Sequence, residues 1–314
     1  MKLKRISYLI FLIGLSVFMY PYVIKVFFEV QNISEFNEYE NIVEHMSDEE
    51  IKQYMEEYER YNDYIANKLP VQELDDPFVP NTTRTPDTIS VLNEQSEQST
   101  AVEKSTVGVA SVPFGYIEIP KIREKLPIYL GGSLENLAKG VAQLDRTSLP
   151  IGGVGTHSVI AGHRGYYRGV RFFKYLDKLE VGDRFYIHVY NMTLTYEVTG
   201  TDVILPTERE KLSIDPDKDM VTLLTCEPYR ISTHRLLVHA VRVGGEQTLE
   251  EDERGKKEEG DRGVLSISYN REMTVNREVQ MDMMISYVVV GIGSVLWVIT
   301  FILFIRTFRK KPKA

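Results

Sequence analysis

Met220-Val-Thr-Leu-Leu-Thr-Cys226-Glu-Pro-Tyr-Arg-Ile-Ser-Thr-His-Arg235-Leu-Leu-Val-His-Ala-Val-Arg-Val243 consists of two apolar, β-branched runs on either side of a polar loop that contains Pro228. That is the pattern of an antiparallel β-hairpin. The first run ends at Cys226, the only cysteine among 314 residues, and the second begins at Arg235. The ends of paired antiparallel strands lie roughly opposite one another, so the hairpin brings a guanidinium up to the thiol. A neighbouring cation favours the thiolate, which is the nucleophilic form of cysteine. A lone cysteine in an apolar strand is more commonly a small core residue, and the rest of the chain has to decide between the two readings.

The composition sets bounds. With 43% hydrophobic and 26% charged residues, the chain can bury one good core and carry appendages. A formal net charge of -8 argues against a nucleic-acid partner. One cysteine excludes an intrachain disulfide and a Cys-rich zinc site, so no cofactor or metal is expected.

Seven segments follow from the pattern. Residues 1–28 carry Lys2, Lys4 and Arg5 and then an apolar run from Ile6 to Ile24, long enough to cross a bilayer. No small-x-small cleavage site follows, so a retained signal anchor is expected. Residues 29–70 show apolar residues at helical spacing, with Ser47 and Glu50 reading as a capping box. Pro70 ends this helical part, and residues 71–108 read as a linker enclosing an unusual acidic and aromatic patch, Leu74-Asp-Asp-Pro-Phe-Val-Pro80. Residues 109–245 alternate many short β-branched runs with turn residues, as in a closed barrel or sandwich. Two short helices, Leu134 to Gly140 and Val170 to Leu179, are expected to interrupt the strands. A charged tether over residues 246–282, a second apolar span over 283–305 and a basic tail over 306–314 complete the chain. Basic flanks at both chain ends place both ends in the cytoplasm and everything between the spans outside.

Six histidines compete as proton-transfer partner for Cys226. His45 lies in the helical part, and His188 and His239 lie inside predicted strands. His234 precedes Arg235, so the two point to opposite faces of their strand. His157 and His163 remain, within Gly152-Gly-Val-Gly-Thr-His-Ser-Val-Ile-Ala-Gly-His-Arg-Gly165. His163 closes an apolar strand at a glycine-flanked turn, where a side chain is presented rather than buried.

T-L-L-T-C followed by T-H-R-L-L-V resembles the active-site strand pair of the sortases, cysteine transpeptidases of Gram-positive cell surfaces. The stretch T-S-L-P-I-G-G-x-x-T-H-S-V-I-x-G-H-R-G, from Thr147, resembles the pilus-class (class C) sequence around the catalytic histidine, which corresponds to His163. The continuation from Phe172 to Asp183 also resembles the family. Asp76-Pro77-Phe78 is similar to the lid triplet of the pilus class.

The resemblance implies a mainly β fold, a closed eight-stranded barrel with short helices, an N-terminal helical and lid segment and two transmembrane helices. It implies Cys226 as nucleophile, His163 as general acid and base, and Arg235 as oxyanion donor. By the same resemblance Asp76 would pair with Arg235, and the ring of Phe78 would cover the sulfur. The implied reaction cleaves an LPXTG-like sorting signal between Thr and Gly and transfers the pilin to a lysine amine of the next pilin. Partners would be pilin subunits and the lipid bilayer. The competing readings are a housekeeping enzyme that anchors proteins to a cell-wall precursor, and a membrane-tethered barrel that binds without catalysis. A papain-like hydrolase does not fit, because there the cysteine precedes the histidine and opens a helix. Glu227, next to the nucleophile, stands where the family usually has an uncharged residue, and its orientation is open at this point.

Overall fold

The structure is a computed structural model that describes residues 2–68, 74–79, 113–167, 170–244, 247–248 and 275–309. Of the expected linker over 71–108 only Leu74 to Val79 is described. The expected tether falls outside the described residues from 249 to 274.

Eight strands form the body: β1 (Gly115–Ile119), β2 (Glu124–Leu130), β3 (Val141–Gln143), β4 (Thr156–Ala161), β5 (Arg184–Val189), β6 (Met192–Ile204), β7 (Asp219–Glu227) and β8 (His234–Arg242). They neighbour one another in the order β8-β7-β4-β3-β2-β1-β5-β6, and β6 pairs back onto β8, so the sheet closes on itself as the expected barrel. Closure leaves no exposed edge within this ring. The β2–β3 and β4–β7 pairs are parallel. The short helix α3 (Leu134–Lys139) makes the crossover between β2 and β3, capped by Ser133, whose side chain accepts from the Asn136 N–H.

Two local expectations are corrected. Where the sequence pattern gives two β-branched runs, Met192 to Val198 and Thr201 to Leu205, broken at Gly200, the structure has a single 13-residue strand, Met192–Ile204. It can run on because it changes partner, from β5 over its first half to β8 over its second, with a register shift at His239/Ala240 taking up the twist. Val170 to Leu179 is not a helix but a two-residue strand followed by a single 3-10 turn, Leu176–Lys178. Phe172 and Phe173 are both fully buried, and adjacent residues with no exposed face between them do not fit one stripe of a surface helix.

At the N-terminus, helix α1 (Lys2–Glu44) runs without interruption through the boundary expected at residue 28. Helix α2 (Asp48–Lys68) starts at the expected capping box: the Ser47 N–H donates to Glu50 Oε2 at 2.8 Å and the Glu50 N–H to Ser47 Oγ at 3.3 Å. Tyr58, Tyr61 and Ile65 of α2 are buried, each such burial contributing about 1.5–3 kcal/mol. Asn62 fixes the register of α2 on the barrel by a two-way backbone clip to Leu149, donating at 3.2 Å and accepting at 2.7 Å. The Tyr58 and Tyr190 hydroxyls meet at 3.0 Å, so the tyrosine stripe is packing, as its helical spacing suggests.

Residues 2–31 of α1 and helix α4 (Arg277–Arg309) belong to a second compact unit. Leu3–Phe27 and Arg277–Phe308 are each long and apolar enough to cross a membrane. Within this unit Lys25 Nζ reaches Asp282 Oδ2 at 3.0 Å and Ser286 Oγ at 2.6 Å, and Trp297 Nε1 donates to Ser16 Oγ at 3.0 Å.

Candidate active site

The site is assembled where β4 and β7 end and β8 begins. In the parallel β4–β7 pair Ala161 lies beside Leu224. One step on, the Gly162 N–H donates to the Leu224 carbonyl at 3.0 Å and Thr225 Oγ1 donates to the Gly162 carbonyl at 2.7 Å. A side chain at position 162 would meet the Phe173 ring at 2.8 Å, so only glycine allows the strand to end here. Continuing the register sets His163 beside Cys226 and Arg164 beside Glu227. On the other flank Cys226 pairs with Arg235 and Glu227 with His234. Successive side chains on a strand alternate between faces. The strand ends therefore carry two parallel rows, His163, Cys226 and Arg235 on one face and Arg164, Glu227 and His234 on the other.

The first row ends a face whose interior is apolar. Val159 and Ala161 of β4, Leu224 of β7 and Leu237 of β8 cluster there with Ile204 and Leu212. The segment Leu74 to Val79 covers it. Leu74 is buried in that cluster, and Phe78 packs against it. The shape of this segment is dictated locally: the Phe78 N–H donates to Asp76 Oδ1 at 3.1 Å and the Val79 N–H to the Asp76 carbonyl at 3.3 Å, an Asp-Pro turn that aims the carboxylate. Pro77 lies so near Gly132 that a Cβ on that glycine would come within 3.2 Å of the proline Cβ.

Asp76 meets Arg235 as the resemblance implied, with Nε to Oδ1 at 3.2 Å and Nη2 to Oδ2 at 2.5 Å. The remaining Nη1 donates to the carbonyls of Ser232 at 3.0 Å and His234 at 2.8 Å. These bonds occupy four of the five guanidinium N–H donors, Nε and one Nη2 hydrogen on the carboxylate and both Nη1 hydrogens on backbone carbonyls. The pair is buried, with side-chain exposures of 7% and 9%, so it differs from the weak surface ion pair that a linker composition suggests. The Phe78 ring lies 5.6 Å from the His163 ring and 5.2 Å from the Arg235 guanidinium carbon, spanning the two residues that flank Cys226.

The electrostatics follow from this cover. Burial pushes the Cys226 thiol up; Arg235, the Ser232 hydroxyl and Arg164 oppose that, while Asp76 adds to it, and the net shift is upward. Burial holds the His163 imidazole below its usual range. Closed, the site favours a neutral thiol and a neutral imidazole, the unreactive protonation state of the pair.

The other histidines are engaged elsewhere. His157 is 1% exposed, with Nδ1 at 2.9 Å from the Ser213 carbonyl and Nε2 at 2.6 Å from Thr222 Oγ1. That hydroxyl also lies 2.8 Å from His239 Nδ1. His188 bonds Thr193 and His45 bonds the Asn41 carbonyl. Sequence reasoning gave no role to Arg164 and left Glu227 open. The structure pairs them: Glu227 turns away from the sulfur and forms an ion pair with Arg164. Alternation sets which face each of the two side chains takes, and the pairing of β4 with β7 brings them together.

A family model of the sortase domain matches residues 117–243. The chain is similar to sortase D of Bacillus subtilis (strain 168), 28% identical over 143 residues, which is 45% of this chain and 67% of that protein. Among solved structures it is similar to sortase C1 of GBS Pilus Island 1, with a TM-score of 0.55 and 34% identity over 68% of this chain and 93% of that one. It is also similar to the sortase C of Streptococcus pneumoniae, with a TM-score of 0.55 and 33% identity over 68% and 98% of the two chains.

Proposed function

We propose that this chain, which belongs to the sortase family of cysteine transpeptidases, joins pilin subunits into a covalent polymer. The observation that carries the reading is the pairing of Cys226 with Arg235 on neighbouring strands, with His163 two residues past the end of β4 and the Phe78 ring against both His163 and Arg235. The structural neighbours of like size add support, one being a pilus-island sortase and another described by its pilin substrate specificity.

The chemistry assigns each member of the row one task. Once Asp76 leaves, the Arg235 donors are free, the Cys226 thiol passes its proton to His163, and the resulting thiolate attacks the threonine carbonyl of an LPXTG-like signal. Arg235 holds the developing oxyanion. His163 gives its proton to the departing glycine amine, and the acyl group remains as a thioester on Cys226. A lysine amine of the next pilin then attacks the thioester carbon and passes its proton to His163. An isopeptide bond forms and the thiolate is released. Asp76, Pro77 and Phe78 act as a self-inhibitory lid, because the same contacts that occupy Arg235 also keep the thiol protonated. The apolar helices act as two membrane spans with both chain ends in the cytoplasm and residues 29–282 outside.

Full-length enzyme in lipid nanodiscs, mixed with candidate pilins, should build a ladder that survives boiling in detergent, and Cys226→Ala should build none. Attachment to a cell-wall precursor without a ladder would move the function to surface-protein anchoring. A Cys226→Ala protein that still makes the ladder would sink the assignment.

A further inference from the structure

The second row at the strand ends has no task in the reaction as described, yet it contains one of the most buried charges in the barrel unit. The Arg164 side chain is 7% exposed. Its Nη1 pairs with Glu227 Oε2 and lies 3.5 Å from the Cys226 carbonyl, while Nη2 reaches Asp177 Oδ1 at 3.3 Å. Its Nε is buried with no acceptor among the described residues. An arginine held this way gains little stability over an apolar residue of the same volume. What the arrangement does provide is a fixed distance.

The backbone ladder between β4 and β7 makes its last bond from Gly162 to Leu224. His163 and Cys226 lie beyond it. Arg164 is the chain neighbour of His163, and Glu227 is the chain neighbour of Cys226. Asp177, in the turn Leu176–Lys178, anchors the same guanidinium from a third element. We infer that Arg164 and Glu227 are positioning residues for the transfer reaction: their ion pair on the back face clamps the ends of β4 and β7 in the register that sets His163 beside Cys226 on the front face. The inference rests on the reading of Cys226 and His163 as the reacting pair. Geometry of this kind matters steeply, since a misplacement of about 1 Å can cost on the order of a hundredfold in rate. The planar fork of arginine can hold two carboxylates at once, which a lysine does less well.

The test is single-turnover acylation of full-length enzyme in nanodiscs by a short sorting-signal peptide, read by intact mass. Arg164→Gln should slow acylation at saturating peptide by about tenfold to a hundredfold, with half-saturation within about twofold. Glu227→Gln should slow it by about tenfold, and Arg164→Lys, which keeps the charge but not the fork, should recover only part of the loss. Alkylation of Cys226 by a small thiol reagent should change by less than about threefold, because the thiol itself stays in place, whereas a merely loosened fold would speed it. If Arg164→Gln fails to fold, Glu227→Gln, at a carboxylate 25% exposed, carries the test alone. Wild-type rates in these variants, a change confined to half-saturation, or faster alkylation with no recovery by lysine would each overturn the inference. Cys226→Ala in the same assay separates the two readings. If it still acylates, the transpeptidase assignment fails. If it is dead while the Arg164 and Glu227 variants are normal, only the clamp fails.

Discussion

One face of the sheet formed by β4, β7 and β8 carries polar chemistry at both of its ends. At one end His157, Thr222 and His239 form a hydrogen-bonded chain, with the Asp202 carboxylate 3.2 Å from His239 Nε2. At the other, His163, Cys226 and Arg235 form a row beneath Asp76 and Phe78. The side-chain types are alike, and apolar residues such as Leu224 and Leu237 separate the two ends. What differs is where the partners come from. The partners of His157 belong to the barrel and its connections, so they leave only if the barrel unfolds. The partner of Arg235 belongs to a short segment outside the barrel, which on the proposed reading leaves while the barrel stays folded. A polar cluster becomes a reactive site when its satisfying partner is removable, and a structural one when it is not.

Alanine substitution of the two histidines should separate the ends most sharply. His163→Ala should lower peptide cleavage by about a hundredfold to ten-thousandfold with little change in melting temperature. His157→Ala leaves Thr222 and the Ser213 carbonyl without their buried partner, so its main effect should be a drop of several degrees in melting temperature. A folded His157→Ala protein that is inactive beside an active His163→Ala protein would reverse the assignment.

The next effect concerns the removable partner. Asp76→Ala with Phe78→Ala takes away two causes of the raised thiol pKa, burial and the Asp76 charge, so the pKa should fall. Alkylation of Cys226 near neutral pH should accelerate by about tenfold or more, and peptide turnover should rise. Exposed ion pairs contribute ~0–1 kcal/mol. Leaving Arg235 buried without its carboxylate costs about 3–5 kcal/mol if nothing replaces it, so the closed lid is held more firmly than a linker composition implies. Unchanged labelling would reduce Leu74 to Val79 to packing.

The smallest effect is a pH dependence at the locked end. Burial holds His157 at about 4 in the folded protein, against roughly 6.5 when unfolded. Above about pH 6.5 both states are neutral and the stability is fully present. As pH falls toward 4 the unfolded state takes up the proton first, and about 3 kcal/mol of stability is lost across that window. His157→Gln should therefore lose its stability deficit relative to wild type as the pH drops from 7 to 4. A deficit independent of pH would contradict the buried, neutral imidazole.

Much of this was legible in the sequence for reasons that can be named. The hairpin from Met220 to Val243 was readable because β-branched runs, a proline-containing loop and strand alternation are local signals, and they placed Arg235 opposite Cys226 and turned His234 away. The Asp-Pro-Phe triplet was readable only through the resemblance, since nothing local says which arginine an aspartate 159 residues away will meet. Barrel closure and the Arg164–Glu227 pair depend on which strands become neighbours, and β4 and β7 are far apart in the chain. Gly200 misled the reading of β6 because a glycine signals a break only when no second partner strand is waiting to continue the ladder.

The central claim is that Cys226 carries the acyl group. Full-length enzyme incubated with a sorting-signal peptide and no acceptor amine, then quenched in acid, should gain the mass of the acyl fragment. That mass should map to the peptide containing Cys226, be released by hydroxylamine, and be absent from Cys226→Ala. Cleavage of the peptide by Cys226→Ala at the wild-type rate, or an adduct mapping to any other residue, would contradict the account.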